Sequence, residues 1–394
     1  MANSNQFRKR DLIRPVYLPS LLFMMAEGAL LPIIPATAES FGVGLATAGA
    51  VAGALMLGAL LAEVPSALIN GILGERRAMM LAGVFGAIGA LIAFIGQNVV
   101  FLALGAAMVG AGHSLFGLAR HAYLAEKVPS LTRARAMSIL GGMFRGGLAL
   151  GPVIGAGFVA SLGINSVYFF AAGVMLLVTL IVFSVDAESM ICPPSENRGR
   201  SWMIAKREKS KLRTLGVASA VIAGIRNIRM IALPLFAISL GIDPGTASLV
   251  IGLTGIIDFA LFYLSGIVMD KYGRFWTSVP TLLAFGVLYT LFFTMNDLTT
   301  FAIFAALTAL VNALSSGINM VLGADLAPRD ARSEFLAGFR LITTGGNALS
   351  PYVLSGVTLL FGLGPAMVVM GGISFYGAIM FWKFLPKYGE PSQD

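Results

Sequence analysis

Apolar stretches long enough to cross a bilayer recur twelve times along this sequence, and nothing constrains its fold more. They run over 16–40, 45–69, 77–96, 99–123, 135–161, 165–185, 213–240, 246–268, 275–294, 298–324, 333–360 and 363–385. The breaks between them hold turn residues or charge, as in "LGERR", "IGQN", "LGIDPG", "DKYGR" and "LAPRDAR". Only 12% of the 394 residues are charged, about half of what a soluble chain carries. A soluble fold would lack a polar surface, so lipid is the solvent for most of the chain. The reading is an all-α membrane protein with twelve transmembrane helices.

One long polar interval, 186–212, divides six spans from six. This gives an N-terminal six-helix half over 1–185, a linker over 186–212 and a C-terminal six-helix half over 213–394. An even number of spans puts both ends on one side. That side would carry Arg8, Lys9, Arg10, Arg14, Arg76, Arg77, Lys127, Arg133, Arg135, the basic linker, Lys271, Arg274, Arg329, Arg332, Lys383 and Lys387. The opposite loops have no Lys or Arg. The positive-inside rule then places both termini and the linker in the cytoplasm, in a multi-pass bacterial-style plasma membrane. It also accounts for the net charge of +8 without a nucleic-acid partner. The lone Cys192 excludes an internal disulfide, His113 and His121 are too few for a metal site, and no P-loop occurs. No cofactor is expected, nor an enzyme, since no nucleophile–base constellation appears. A monomer is the expected state.

Sliding the sequence along itself by 199 residues aligns it without gaps. "GGLALGP" (146–152) meets "GGNALSP" (345–351), and "AEKVPSLTR" meets "ADLAPRDAR". Pro35 meets Pro234, Gly42 meets Gly241, Gly74 meets Gly273, and Thr47 and Ala48 meet Thr246 and Ala247. The halves are one six-helix unit written twice, in parallel because six spans restore the starting side.

Two parallel six-helix repeats resemble the plan of the major facilitator superfamily. "GIVMDKYGR" supports this: Gly266, Asp270, Lys271, Gly273 and Arg274 resemble the family's loop signature, whose charges latch the cytoplasmic gate. The first-half copy "ALINGILGER" departs, with Ala67 and Gly71 in place of the Gly and Asp. "GLALGPVIGA" and "GALLPIIP" resemble motifs of the drug/proton antiporter branch. The same glycines, Gly147, Gly151 and Gly155, also form a small-residue ridge that any close helix crossing would use. The resemblance implies a small-molecule substrate, spans 1, 4, 7 and 10 around a central cavity, and alternating access.

Ionisable groups at membrane depth are expensive and mark function. Glu27, Glu63, Arg145, Arg226, Arg229, Asp258 and Arg340 are such groups. At 1.5 Å per residue Arg145 lies about 15 Å beyond Arg135, half of a roughly 30 Å core. Arg120 is near enough to a helix end to reach the surface. Polar stripes at helical spacing place Asn312 and Asn319, Arg340 and Asn347, and His113 on inward faces. Glu27 meets Arg226 in the repeat, so the two are expected at one depth on facing helices. A buried carboxyl with a basic neighbour can load and release a proton near neutral pH, so Glu27 is the first proton-coupling candidate, with Asp258 beside it.

The function read from these features is proton-coupled export of small amphiphilic compounds by a secondary transporter. His113, Arg145, Arg226, Arg229, Asn312, Asn319 and Asn347 are expected to line the substrate cavity. The alternative is proton-coupled uptake of an organic anion, with Arg145, Arg226 and Arg229 as its carboxylate or phosphate partners. A lipid flippase or a non-transporting receptor is the reading from another class. Two pairings are expected. Glu63 with Arg340 would supplement the loop motif as a gate. Arg145, which has uncharged Thr344 as its repeat counterpart, would meet Asp258, whose counterpart is Ala59, because the resemblance implies that spans 5 and 8 are neighbours; the other placement turns Arg145 into the cavity toward Glu27 or an anionic substrate.

Overall fold

The computed structural model describes residues 12–185, 207–328 and 330–388. Arg8, Lys9, Arg10, Cys192, Arg329 and most of the polar linker lie outside the described residues. All regular structure among the described residues is helical. Ten helices are long and apolar enough to cross a membrane. One of them, Leu45–Ile95, is 51 residues long, about twice what a bilayer needs. It breaks at Gly74 (φ 76°, ψ 166°) into two spans, 45–73 and 75–95. The helix Arg332–Phe361 is as long as a span but too polar to count on apolarity alone. With both of these considered, the crossings among the described residues number twelve.

In chain order these are α1 Leu18–Ser40, α2 (45–73), α3 (75–95), α4 Val99–Lys127, α5 Ser130–Leu162 and α6 Ser166–Phe183. There follow α7 Val217–Ser239, α8 Pro244–Tyr272, α9 Arg274–Thr290, α10, α11 Arg332–Phe361 and α12 Leu363–Tyr388. The tenth crossing is in two pieces, Leu298–Leu314 and Ile318–Leu326, parted at Gly317 (φ 79°). Several helices overrun the sequence-derived spans by about a turn at the end nearer the linker. There backbone hydrogen bonds continue past the apolar stretch.

The 199-residue repeat is written into the backbone. A five-residue π turn, Ile13–Tyr17, leads into α1, and its counterpart Leu212–Gly216 leads into α7. Gly74 and Gly273 turn the chain at φ 76° and 85°, a conformation in which a Cβ would meet the backbone. Gly42 and Gly241, and Gly163 and Gly362, repeat the device at other turns. Asn98 caps α4 and Asp297 caps α10 with side-chain oxygens that accept backbone N–H groups. The break at Gly317 has no such partner, since Leu118 sits within continuous α4.

Packing explains why the glycine phrase recurs. A Cβ on Gly147 would stand 2.5 Å from the carbonyl oxygen of Leu21, and one on Gly151 would stand 2.7 Å from the amide of Ala29. These glycines let α5 lie directly on α1. Gly346 lies in the same way against Ala220 of α7, so both copies serve the same crossing. Between the halves, Gly252 of α8 meets Val153 of α5, and Gly53 of α2 meets Pro351 of α11. Buried Tyr168 donates to Thr37 Oγ1 at 2.8 Å, and Tyr289 to the Ile225 carbonyl at 2.6 Å, fixing the outer helices α6 and α9.

Candidate functional site

At mid-depth between the halves lies a cavity of about 260 Å³ with walls from α5, α7, α8, α10 and α11. Arg145, Arg226, Arg229, Asp258, Asn312, Asn319 and Asn347 all line it. They come from far-apart parts of the chain and meet because each stands on the inward face of its helix. Phe144, Leu148, Met230 and Ile251 fill the apolar remainder.

Charge in this cavity is unbalanced: three guanidiniums face one carboxylate. Arg145 Nη1 donates to both oxygens of Asp258 at 3.0 Å, and the guanidinium rests over the ring of Phe262 at 5.5 Å. The two unmatched charges therefore meet across the α5–α8 interface. Arg226 donates from Nε to Asn312 Oδ1 at 2.9 Å and from Nη1 to the Ser315 carbonyl at 3.0 Å. That carbonyl lies at the break in α10, where it also accepts from the Ile318 amide at 3.4 Å, and Ser265 Oγ donates to the next one, on Ser316, at 2.8 Å. Arg229 is buried, and its Nε has no partner. Asn319 donates to the Ser219 carbonyl at 3.3 Å, which leaves its buried Oδ1 free.

Glu27 and Arg226 are not paired. Glu27 Oε2 is 2.7 Å from His113 Nδ1. Repeat symmetry equates depth, but the Glu27 side chain turns back into its own half, where α4 presents the imidazole. His113, read as a cavity residue, accordingly lies outside the cavity wall, with its ring edge-on to Phe144 at 6.0 Å.

Nearer the linker side, Arg340 Nε is 2.6 Å from Glu63 Oε1, and Ser114 donates to Oε2 at 3.1 Å. This joins α2, α4 and α11. In the loop motif, Gly273 makes the turn, and Arg274 donates from Nε to Asp325 Oδ2 at 2.8 Å. Lys271 stands over the Tyr272 ring, Asp270 is exposed, and a Cβ added to Gly266 would meet nothing within 4 Å. In the first half Arg76 instead donates to the Val182 and Phe183 carbonyls at the end of α6.

Sequence reasoning missed Asn227, whose Nδ2 reaches Met56 Sδ at 2.8 Å from α7 to α2. It also gave Arg120 a route to the surface. Arg120 is instead 3% exposed, its head 5.6 Å from the ring of Phe116 and 5.5 Å from that of Phe144.

The family model of the Major Facilitator Superfamily matches residues 16–217 and again residues 215–394, nearly the whole chain. The chain belongs to the major facilitator superfamily. It is a multi-pass membrane protein and a secondary transporter. This transporter is 30% identical over 208 residues to "Probable anion transporter 7" of Oryza sativa subsp. japonica, covering 51% of its own chain and 46% of the relative. The match thus spans about half of that relative's length. It is 22% identical over 331 residues to the "Uncharacterized MFS-type transporter MJ1560" of Methanocaldococcus jannaschii, covering 80% and 82% of the two chains. Among solved structures, a POT family transporter in complex with a thioalcohol-conjugated peptide superposes with a TM-score of 0.80 at 13% identity, covering 97% of each chain. That likeness speaks for the fold.

Proposed function

We propose that this major facilitator takes up a small organic anion together with protons. The observation that carries the reading is the cavity's charge: Arg145, Arg226 and Arg229 against Asp258 alone. Asp258 is occupied by Arg145, which leaves two guanidiniums facing an open cavity. Buried cations without a carboxylate are costly, and an anionic ligand supplies what the protein withholds. A volume of about 260 Å³ suits a small carboxylate or phosphate ester better than a drug-sized amphiphile. The rice relative, named as an anion transporter, points the same way. The glycine ridge that suggested the antiporter branch has a sufficient role in packing α5 on α1.

Glu27 and His113 are the coupling pair in this reading. A carboxylate and an imidazole within hydrogen-bond distance can hold a proton between them and pass it on. The halves 1–185 and 213–394, joined by the linker 186–212, rock about the cavity. Glu63–Arg340 and the Gly273 turn control the linker side, which faces the cytoplasm of a bacterial cell. The protein works as a monomer.

The test is ligand-induced thermal stabilisation of the purified protein across small carboxylates, phosphate esters and cationic amphiphiles. Stabilisation by an anion that disappears in Arg226→Gln supports the reading. Stabilisation by cations alone overturns it.

A further inference from the structure

A second buried cation lies on the linker side of the central cavity, between α4 and α5. Arg120 of α4 has Nε and Nη1 buried with no partner. Its head lies within 5.6 Å of the ring of Phe116 on α4 and 5.5 Å of the ring of Phe144 on α5, which places the guanidinium between the two helices. Ring faces hold a cation but leave its N–H groups unbonded. The carboxylate close enough to act on it, Glu27, already holds His113, and Arg340 adds a second positive charge nearby.

Space is reserved beside it. A Cβ added to Gly117, one turn from Arg120, or to Gly141 or Gly142 on α5, would meet nothing within 4 Å. Gly141 stands one turn before Arg145 on the same face of α5, so this space lies next to the central cavity. Phe144 belongs to both places: it covers Arg120 and lines the cavity.

We infer that Arg120 is a second docking point for an oxyanion, a carboxylate or phosphate group, one step from the central cavity toward the linker side. The inference rests on the anion reading of that cavity, and it extends the path to residues that face away from it. The incoming anion completes the hydrogen bonds of a buried guanidinium, and Phe144 stands between the two anion positions.

The experiment uses the full chain with Cys192→Ser and a single cysteine at Gly141, with Gly157 at the other end of α5 as the control position. Rates of modification by an anionic and a cationic methanethiosulfonate are compared, with and without sodium benzoate. The expected result is an anionic-to-cationic rate ratio about tenfold higher at 141 than at 157, as one nearby uncompensated charge would give. Benzoate slows modification at 141. Both effects vanish in Arg120→Gln and persist in Arg120→Lys. A ratio unchanged by Arg120→Gln, or no sign preference and no protection at 141, overturns the inference. If Arg120→Gln does not fold, the contrast between 141 and 157 decides alone, with preference and protection supporting and their absence overturning. Because no transport is read, the two readings fail separately. Liposomes that move no anion remove the transport reading and leave a docking point that follows Arg120. Anion transport without an Arg120-dependent signal at 141 removes the docking point only.

Discussion

Glu27 on α1 and His113 on α4 hold each other at 2.7 Å, with the carboxylate the more deeply buried of the two. Either group can carry the proton, so neutralising one leaves the other without a partner to exchange with. Glu27→Gln is expected to fold and to exchange substrate down its gradient, yet to lose pH-driven accumulation. His113→Gln should behave alike. Uphill, pH-driven uptake by reconstituted Glu27→Gln at the wild-type level would remove the pair from coupling.

Arg145 and Asp258 join α5 to α8 through two hydrogen bonds of 3.0 Å. Removing one partner of a buried pair costs about 3–5 kcal/mol, because the other charge is left uncompensated. Arg145→Ala and Asp258→Ala should each lower the melting temperature in detergent. The double variant should recover much of the loss. Strict additivity in the cycle would show that the two charges are not coupled.

The bridge from Arg340 to Glu63 draws α11 toward α2 and α4. Either Glu63→Gln or Arg340→Gln is expected to raise the reactivity of a cysteine at Gly141, by loosening closure of the linker side. The exchange Glu63→Arg with Arg340→Glu should bring it back toward the parent. Equal reactivity in all four proteins would mean that the bridge does not gate.

The twelve crossings were legible because a chain of this apolarity has one solvent available to it, and the repeat was legible because the turn glycines and helix caps recur in register. Arg145–Asp258 and Glu63–Arg340 could be read from depth together with the helix neighbours that the resemblance implies, and the first also from missing counterparts in the repeat. Glu27–His113 could not. A repeat offset reports position along a helix, whereas the partner depends on which way the side chain turns about that helix. Arg120 escaped for a related reason. Its distance from a helix end permits an escape to water, and only the packing of Phe116 and Phe144 around it closes that route. The break in α10 was hidden because Gly317 lies in an apolar stretch, and many other glycines of this chain stand inside unbroken helices.

Outside the membrane, Asp297 caps α10 in a capping box with Thr300. Hydrogen bonds from the Thr300 hydroxyl and amide hold its carboxyl below the usual aspartate range. A depressed carboxyl contributes stability above its unfolded pKa and loses it as pH falls through the folded value. Asp297→Ala should therefore melt below wild type at neutral pH, and the difference should shrink as the buffer is brought into the acid range below pH 4, where the unfolded group is protonated (about 3.9). A difference that does not change with pH would mean that the carboxylate charge has no part in the cap.

The most direct measurement is proton movement in proteoliposomes loaded with a pH-sensitive dye and challenged with small organic anions and, separately, with cationic amphiphiles. The arginine cavity and the Glu27–His113 pair together require that an anion of suitable size move protons in the wild-type protein and not in Glu27→Gln. Proton movement driven by cationic amphiphiles, with no response to any anion, would contradict the account.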